Sequence, residues 1–329
     1  DYLSRLVSAA MPSPPVPARP GTDPDLLWMT GRTEAPAGGD EAPIPTAYPD
    51  GGFYVMRDRW PAAGADDDAQ TCLIVRNGPM NHGHAHADLL SFLLYHRGEL
   101  WLTDTGKYTY NETPRRRYLK GTHGHNTVVV DGADQAPYRD RMSFRQTPGW
   151  SNEAWLDGED LKLYQGSHDG FTRLAHPVRH RRQIVWVVGE GWLVVDRFTG
   201  EGVHVFDQLF HVPFATGVES TDGDGAGSEV AVRHGDERLA IRWIGGDAGT
   251  ASLHRTWVSP AYGEAHDATL VRYRVEAATP AVIVTWITFH PGRRPALEHL
   301  SEDSVGILTD SHPRRRVRIA SGHAVIEPT

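Results

Sequence analysis

His84-Ala85-His86-Ala87-Asp88-Leu89-Leu90-Ser91-Phe92-Leu93-Leu94-Tyr95-His96-Arg97-Gly98-Glu99-Leu100-Trp101-Leu102-Thr103-Asp104 carries the pattern that decides the fold. Two apolar runs, Leu89 to Tyr95 and Leu100 to Asp104, flank His96-Arg97-Gly98-Glu99, a hairpin signature. The same alternation of short apolar runs and turns extends in both directions. Upstream stand Phe53 to Met56 and Cys72 to Val75. Downstream, Asn126 to Val130 is β-branched and ends at Asp131-Gly132, a turn dipeptide. Ile184 to Val188 and Trp192 to Val195 enclose Gly189-Glu190-Gly191, a second hairpin. Val203–Val212, Val230–Val232, Leu239–Trp243, Leu270–Val275, Ala281–Phe289 and Val317–Ile319 continue the series. No helical period longer than about three turns follows residue 50. Many short strands with turn signals predict an all-β fold, a large antiparallel β-sandwich.

The first fifty residues differ. Residues 1–10 place Tyr2, Leu3, Leu6 and Val7 on one helical face, and Met11-Pro12 ends the run. Residues 1–12 are therefore expected to be the remnant of an upstream helical domain. Residues 13–48, rich in Pro, Gly, Ala and Asp, read as an extended linker anchored near Leu26-Leu27-Trp28-Met29. Residues 49–329 are the expected sandwich. The chain begins without Met, so any export signal would lie upstream; a secreted or periplasmic location is favoured over a cytoplasmic one.

Composition removes several classes of function. The single cysteine, Cys72, excludes an intrachain disulfide and a cysteine-rich zinc site. No apolar run reaches the ~20 residues of a membrane-spanning helix. A net charge of −9 argues against nucleic acid as a partner, and requires that an acidic polymer be met by a local basic patch.

The 18 histidines matter through their clustering. If residues 82–88 are extended, His82, His84, His86 and Asp88 project from one face. The hairpin returns Asp104 beside that segment, and His123 and His125 precede the Asn126–Val130 strand. His, Asp and His from three neighbouring segments make a suitable nitrogen and oxygen ligand set for Zn²⁺ or another divalent ion.

Taken together, His84-x-His86-x-Asp88, Ser91-Phe92, Asp104-Thr105-Gly106 with Tyr108 and Tyr110, and His125-Asn126-Thr127-Val128 resemble the signature of heparinase II/III-like polysaccharide lyases. His180 to Val185, Trp192 to Asp196 and Gln208-Leu209-Phe210-His211 follow in the expected order. The resemblance covers about residues 50–290. It implies a supersandwich-like C-terminal domain that works with an N-terminal toroid of helical hairpins, here missing but for residues 1–12. It implies β-elimination on a polysaccharide containing uronic acid, whether glycosaminoglycan, alginate or exopolysaccharide. By resemblance His84 matches the catalytic histidine, and His86, Asp104 and His125 match the metal ligands, with zinc the usual ion. An imidazole suits this chemistry, since its unperturbed pKa lies near 6.5.

Tyr108, Tyr110, Arg115, Arg116, Tyr118 and Lys120 are the expected substrate contacts, the cations gripping acidic sugar and the rings stacking on it or hydrogen-bonding to it. The alternative for the basic run is a solvated loop. Two other functions stay open: a non-catalytic carbohydrate-binding β-module with structural zinc, and a cupin-like metal oxygenase. A binding module needs no free His84 beside the metal, and open iron coordination would favour the oxygenase.

Overall fold

The computed structural model describes residues 46–59, 70–80, 83–213, 217–222, 228–301, 303–310, 314–320 and 322–328. The expected helix at 1–10, the linker up to residue 45 and His82 lie outside the described residues. Every pairing between named strands is antiparallel, in four sheets. A five-stranded meander runs from Ala47–Tyr48 through Phe53–Arg57, Thr71–Arg76 and Ser91–His96 to Glu99–Leu102. A four-stranded sheet holds Gly249–Val258, His266–Ala278, Val203–Pro213 and Val128–Val130 in that order. An eight-stranded sheet is centred on Val178–Val187, Gly191–Gly200 and Ala281–Thr288. A last four-stranded sheet spans Ala296–Leu300 to His323–Pro328.

The period-two geometry of a strand explains how these layers stack. In Ile184-Val185-Trp186-Val187, Ile184 and Trp186 face the main core, with Phe92, Leu94, Phe206 and Phe210 from the other sheets. Val185 and Val187 face the opposite way, against Val305, Ile307, Val317 and Ile319 of the C-terminal sheet. The eight-stranded sheet is thus covered on both faces, which is why its central strands read as continuous apolar runs. The sandwich expected from sequence is present, and the C-terminal sheet adds a third layer behind it.

The main core also encloses charge. Asp196 and Arg182 are register partners on adjacent strands, and both are fully buried. Arg182 donates from Nε to Asp196 Oδ1 and from Nη2 to Oδ2, at 2.7 and 2.8 Å. Gln208 Nε2 and His180 Nε2 donate to the same carboxylate. Burial pushes the Asp196 carboxyl upward, but Arg182 and His180 together outweigh it and hold it well below the usual carboxylate range.

Behind this pair the proton order is set. The Gly170 N–H donates to His168 Nδ1, and His168 Nε2 lies 3.3 Å from His180 Nδ1. With His180 donating to Asp196, His168 must donate to His180, so both rings are neutral. Burial lowers the pKa of His168, and the neighbouring His180 lowers it further. Burial likewise holds His180 down despite Asp196. Each neutral ring contributes stability that is complete above about pH 6.5 and is lost as the pH falls below it.

The urea midpoint of unfolding should accordingly decline between about pH 7.5 and 5.5. His168→Gln should cost stability at the upper pH and make the decline shallower. An undiminished slope would remove His168 from the acid response.

Candidate functional site

The loop Gly83–Leu90 precedes the strand Ser91–His96 and is not itself a strand, as the sequence pattern had suggested for 82–88. Its backbone pairs with a helix instead: the Ala87 N–H donates to Lys120 O at 2.9 Å. The alternation survives in burial even though the loop turns at Gly83-His84 and bends at Ala87. Ala85, Ala87 and Leu89 pack with Met80 and Ala136 in a small core, so His84 and His86 turn away from it. The strand starts later than Leu89 because Leu90 sits at φ 60°, outside the β region.

The helix Pro114–Lys120 grows from Thr113-Pro114, where Thr113 Oγ1 caps the Arg116 N–H at 3.0 Å, and it stops at Gly121. At i, i+3 and i+4, Arg116, Leu119 and Lys120 share its inward face. Lys120 Nζ donates to Ala85 O at 2.7 Å, and Arg116 donates to His86 Nε2 at 2.9 Å and Arg141 O at 3.2 Å. Burial lowers the Lys120 pKa to about 8, with Arg116 adding to the effect. The basic run is therefore not a solvated loop. Arg116 and Lys120, expected as substrate contacts, are fully buried and spend donors on the protein's own acceptors.

Above this frame His86, Asp104 and His125 each present a ligand atom, and these atoms lie within 4.8 Å of one another. His125 Nδ1 is 2.5 Å from Asp104 Oδ2. Burial pushes the Asp104 carboxyl up, but His125 outweighs it and brings it to about 2. Burial and Asp104 act on His125 in the opposite senses, with the net result above an ordinary imidazole. The His125 Nε2 atom is buried and has no hydrogen-bond partner among the described residues. An unpaired buried nitrogen costs about 1–3 kcal/mol, and a cation within reach would relieve it. The trio fits a divalent ion in donor type and in this orphaned nitrogen.

His84 takes the other direction. It is exposed, and its Nδ1 lies 2.6 Å from Tyr110 Oη. Lys107 Nζ donates to the same hydroxyl at 3.3 Å. Arg115 lies over Tyr108 and Trp257, 5.0 and 4.8 Å from their centroids. Tyr118 is half-buried and bonds Thr256 Oγ1 at 2.9 Å. Of the expected substrate contacts, Tyr110 meets His84, while Tyr108 and Arg115, both half-buried, pair with each other beside Trp257.

Lys107, Trp257 and Tyr262 join these residues without having been singled out from sequence. Trp257 and Tyr262 are 37% and 59% exposed, unusual for rings of that size. Trp257 lies at the end of a strand, and the loop after it, which carries Tyr262, is fixed to the Asp104–Tyr110 loop: Ser259 N–H donates to Thr105 O and Gly263 N–H to Tyr108 O. Gly106 has φ 75°, and a Cβ there would meet Ser259 O at 2.3 Å, so Asp-x-Gly is required at this crossing. Tyr108 adopts φ 61°, a strained state costing about 1–3 kcal/mol that the Gly263 bond helps to hold.

Lys120→Met removes the charge while keeping much of the stem. It should leave Ala85 O unpaired, lower stability by about 1–3 kcal/mol and loosen the His84–His86 loop. Unchanged hydrogen exchange at Ala85–Asp88 would contradict that anchoring role.

Residues 41–287 match the family model described as Heparinase II/III-like, C-terminal. A heparin-sulfate lyase of Bacteroides thetaiotaomicron is 22% identical over 214 residues, 61% of this chain and 27% of that protein. Among solved structures, a heparinase III gene product superposes with a TM-score of 0.68 at 16% identity, over 94% of this chain and 46% of that one. The heparan sulfate lyase of Pedobacter heparinus gives 0.67 at 16% identity, over 100% and 48%. These superpositions show a common fold, and the chain spans less than half the length of each of these relatives. With its family model matched over most of its sequence, the chain belongs to the heparinase II/III-like C-terminal domain family.

Proposed function

We propose that this chain is the metal-binding half of a polysaccharide lyase that cleaves uronic-acid-containing glycosaminoglycan by β-elimination. The observation that carries the reading is an exposed imidazole, His84, held at 2.6 Å by Tyr110 beside the His86–Asp104–His125 trio, of which His125 is buried and the other two half-buried. Heparin and heparan sulfate lyases among the similar proteins support the substrate class.

β-Elimination needs a group to neutralise the sugar carboxylate, a base for the C5 proton and an acid for the departing O4. The C5–H pair becomes the new C4–C5 double bond as the C4–O4 bond breaks, and O4 leaves with a proton. Lys107 donates to Tyr110 Oη, which leaves the Tyr110 proton available to His84 Nδ1. A neutral His84 then carries its proton on Nε2, facing solvent. That arrangement suits donation to the substrate carboxylate. Tyr108, Arg115 and Trp257 offer ring faces and charge for the adjoining sugars. The remaining proton transfers are assigned to a second wall, an upstream helical domain, in keeping with relatives more than twice as long.

His86, Asp104 and His125 would hold a divalent ion, with zinc the first candidate. Bound there, it would supply a fixed positive centre that ties the 86, 104 and 125 segments together. Elemental analysis of chelator-free protein should find close to one equivalent. Less than about a tenth of an equivalent of any divalent metal would end the proposal. Chelation should also lower the melting temperature.

His84→Ala should keep that metal content while formation of the unsaturated, ultraviolet-absorbing product falls by about 10²–10⁴-fold. His84→Gln, which retains a donor, should recover part of the loss. Undiminished product from His84→Ala in the full-length enzyme would refute the assignment.

A further inference from the structure

The outer face of the sheet Gly249–Val258, His266–Ala278, Val203–Pro213 carries charge that the site above does not use. Register sets Asp207 opposite Arg274 and His211 opposite Leu270, and on the other side sets Arg272 opposite Ser252 and Leu270 opposite His254. Cross-strand partners and alternate residues share a face. Asp207, His211, Arg272, Arg274, Ser252 and His254 therefore lie on one side, while Phe206, Phe210, Val271, Tyr273 and Val275 fill the core on the other. His211 is where this face meets the site: it is buried beneath Tyr118 and the loop at His123. Arg272 is its diagonal neighbour across the strand pair, about 7–8 Å away.

Around Arg272 the charges on this face do not balance, because its second acid, Glu276, stands opposite Val205 on the far side of Arg274. Arg274 saturates Asp207 with a bidentate pair, Nε to Oδ1 and Nη2 to Oδ2, both 2.7 Å. Arg272 stands 3.8 Å from the same carboxylate, too far for a hydrogen bond, and its Nε has no hydrogen-bond partner among the described residues. Two guanidinium groups thus share one carboxylate. The carboxylate is 7% exposed, whereas the Arg272 and Arg274 side chains are 30% and 51% exposed. The cations face solvent and the anion lies beneath them. His254, hydrogen-bonded to Ser252 Oγ at 2.9 Å, completes the row. A structural counter-charge for Asp207 requires only Arg274. The second guanidinium repels the first and calls for an anion from outside, in a chain whose net charge is −9.

We propose that Arg272, with Arg274, Ser252 and His254 beside it, forms an anion subsite for a carboxylate or sulfate group on a sugar residue beyond the one being cleaved. The subsite rests on the polysaccharide reading for its ligand, but it is separable from catalysis. It lies one diagonal step from His211, so a polymer seated at His84 and Tyr110 and running along the sheet would cross it. The planar fork of Arg matches either oxyanion.

The test is binding of the 329-residue chain to heparan sulfate, to the same polymer after desulfation and to neutral dextran. Wild type should prefer the acidic polymers. Arg272→Gln should weaken that binding about tenfold and flatten its salt dependence without moving the melting temperature, and Arg272→Lys should restore part of it. A loss seen on both acidic polymers assigns the group to carboxylate; a loss confined to the sulfated one assigns it to sulfate. Wild-type binding by Arg272→Gln, or a wild type that binds dextran as well as the acidic polymers, overturns the subsite. Arg272-dependent binding by a full-length protein that makes no unsaturated product would overturn the lyase reading and leave the subsite standing.

Discussion

The Arg182–Asp196 pair is the constraint on which the rest of this structure depends. Two opposite charges are fully buried between the eight-stranded and four-stranded sheets. Removing one partner of such a pair typically costs about 3–5 kcal/mol, because the survivor has nowhere to go. The consequence here is positional. Arg182 Nη1 donates to Leu90 O and Asn126 O, at 2.7 and 2.8 Å. One guanidinium therefore sets the end of the His84–His86 loop and the residue after His125. Asn126 passes the constraint on: its Nδ2 donates to Phe92 O and Thr103 O, and its Oδ1 accepts the His211 N–H. Thr103 precedes Asp104. The three segments of the trio are thus referenced to a single buried charge, and the left-handed Leu90 is the local distortion that lets its carbonyl reach it.

Charge near the trio is arranged to favour neutral imidazole at His86. Burial and the neighbouring His125 lower its pKa, and Arg116 and Lys120 act in the same sense, while Asp104 opposes them. Arg116 donates to its Nε2, which a protonated ring could not accept. The same two cations hold Ala85 O and Arg141 O. A basic run that looks suited to gripping acidic sugar instead braces the loop and keeps one candidate ligand unprotonated. The outward cations, Arg115 and Lys107, are left to meet whatever arrives from solvent.

Much of this was legible in sequence, for physical reasons that differ by element. The hairpin at Arg97-Gly98 was readable because both residues need positive φ, 49° and 82°, and the sequence supplies glycine at the more demanding one. The union of His86, Asp104 and His125 was readable through family resemblance and short chain separation. The strand Leu161–His168 was not: Lys162, Gln165, Gly166, Ser167 and His168 look like a turn. Two of them are satisfied by their register partners on the adjacent strand Val178–Val187, Gln165 by Gln183 and His168 by His180. Arg272 and Trp257 were equally hidden. An arginine whose nearest carboxylate is already taken by another, or a tryptophan facing solvent, becomes evident only when the neighbouring strands are in place. The helix Pro114–Lys120 could have been found, since Thr-Pro at one end and Gly at the other mark its limits.

The family match ends at residue 287, inside the strand Ala281–Thr288, yet the packing does not stop there. Val284 and Trp286 of that strand, with Val185, Val187, Leu193 and Val195 beside them, face Val305, Ile307, Val317 and Ile319. Without the C-terminal sheet this whole row would lie open on the far side of the eight-stranded sheet, a contiguous apolar patch of the kind soluble proteins rarely leave uncovered. The third layer also reaches polar groups: Arg197 donates to Ser301 O and Ser304 O, and Gly322 N–H to Gln165 Oε1. Gln165 connects in turn to Gln183, next to Arg182 in the central strand. The outer sheet therefore does more than shield one face. By fixing the strands that carry Arg182 and Asp196 from behind, it supports the buried charge from which the site on the opposite side takes its position.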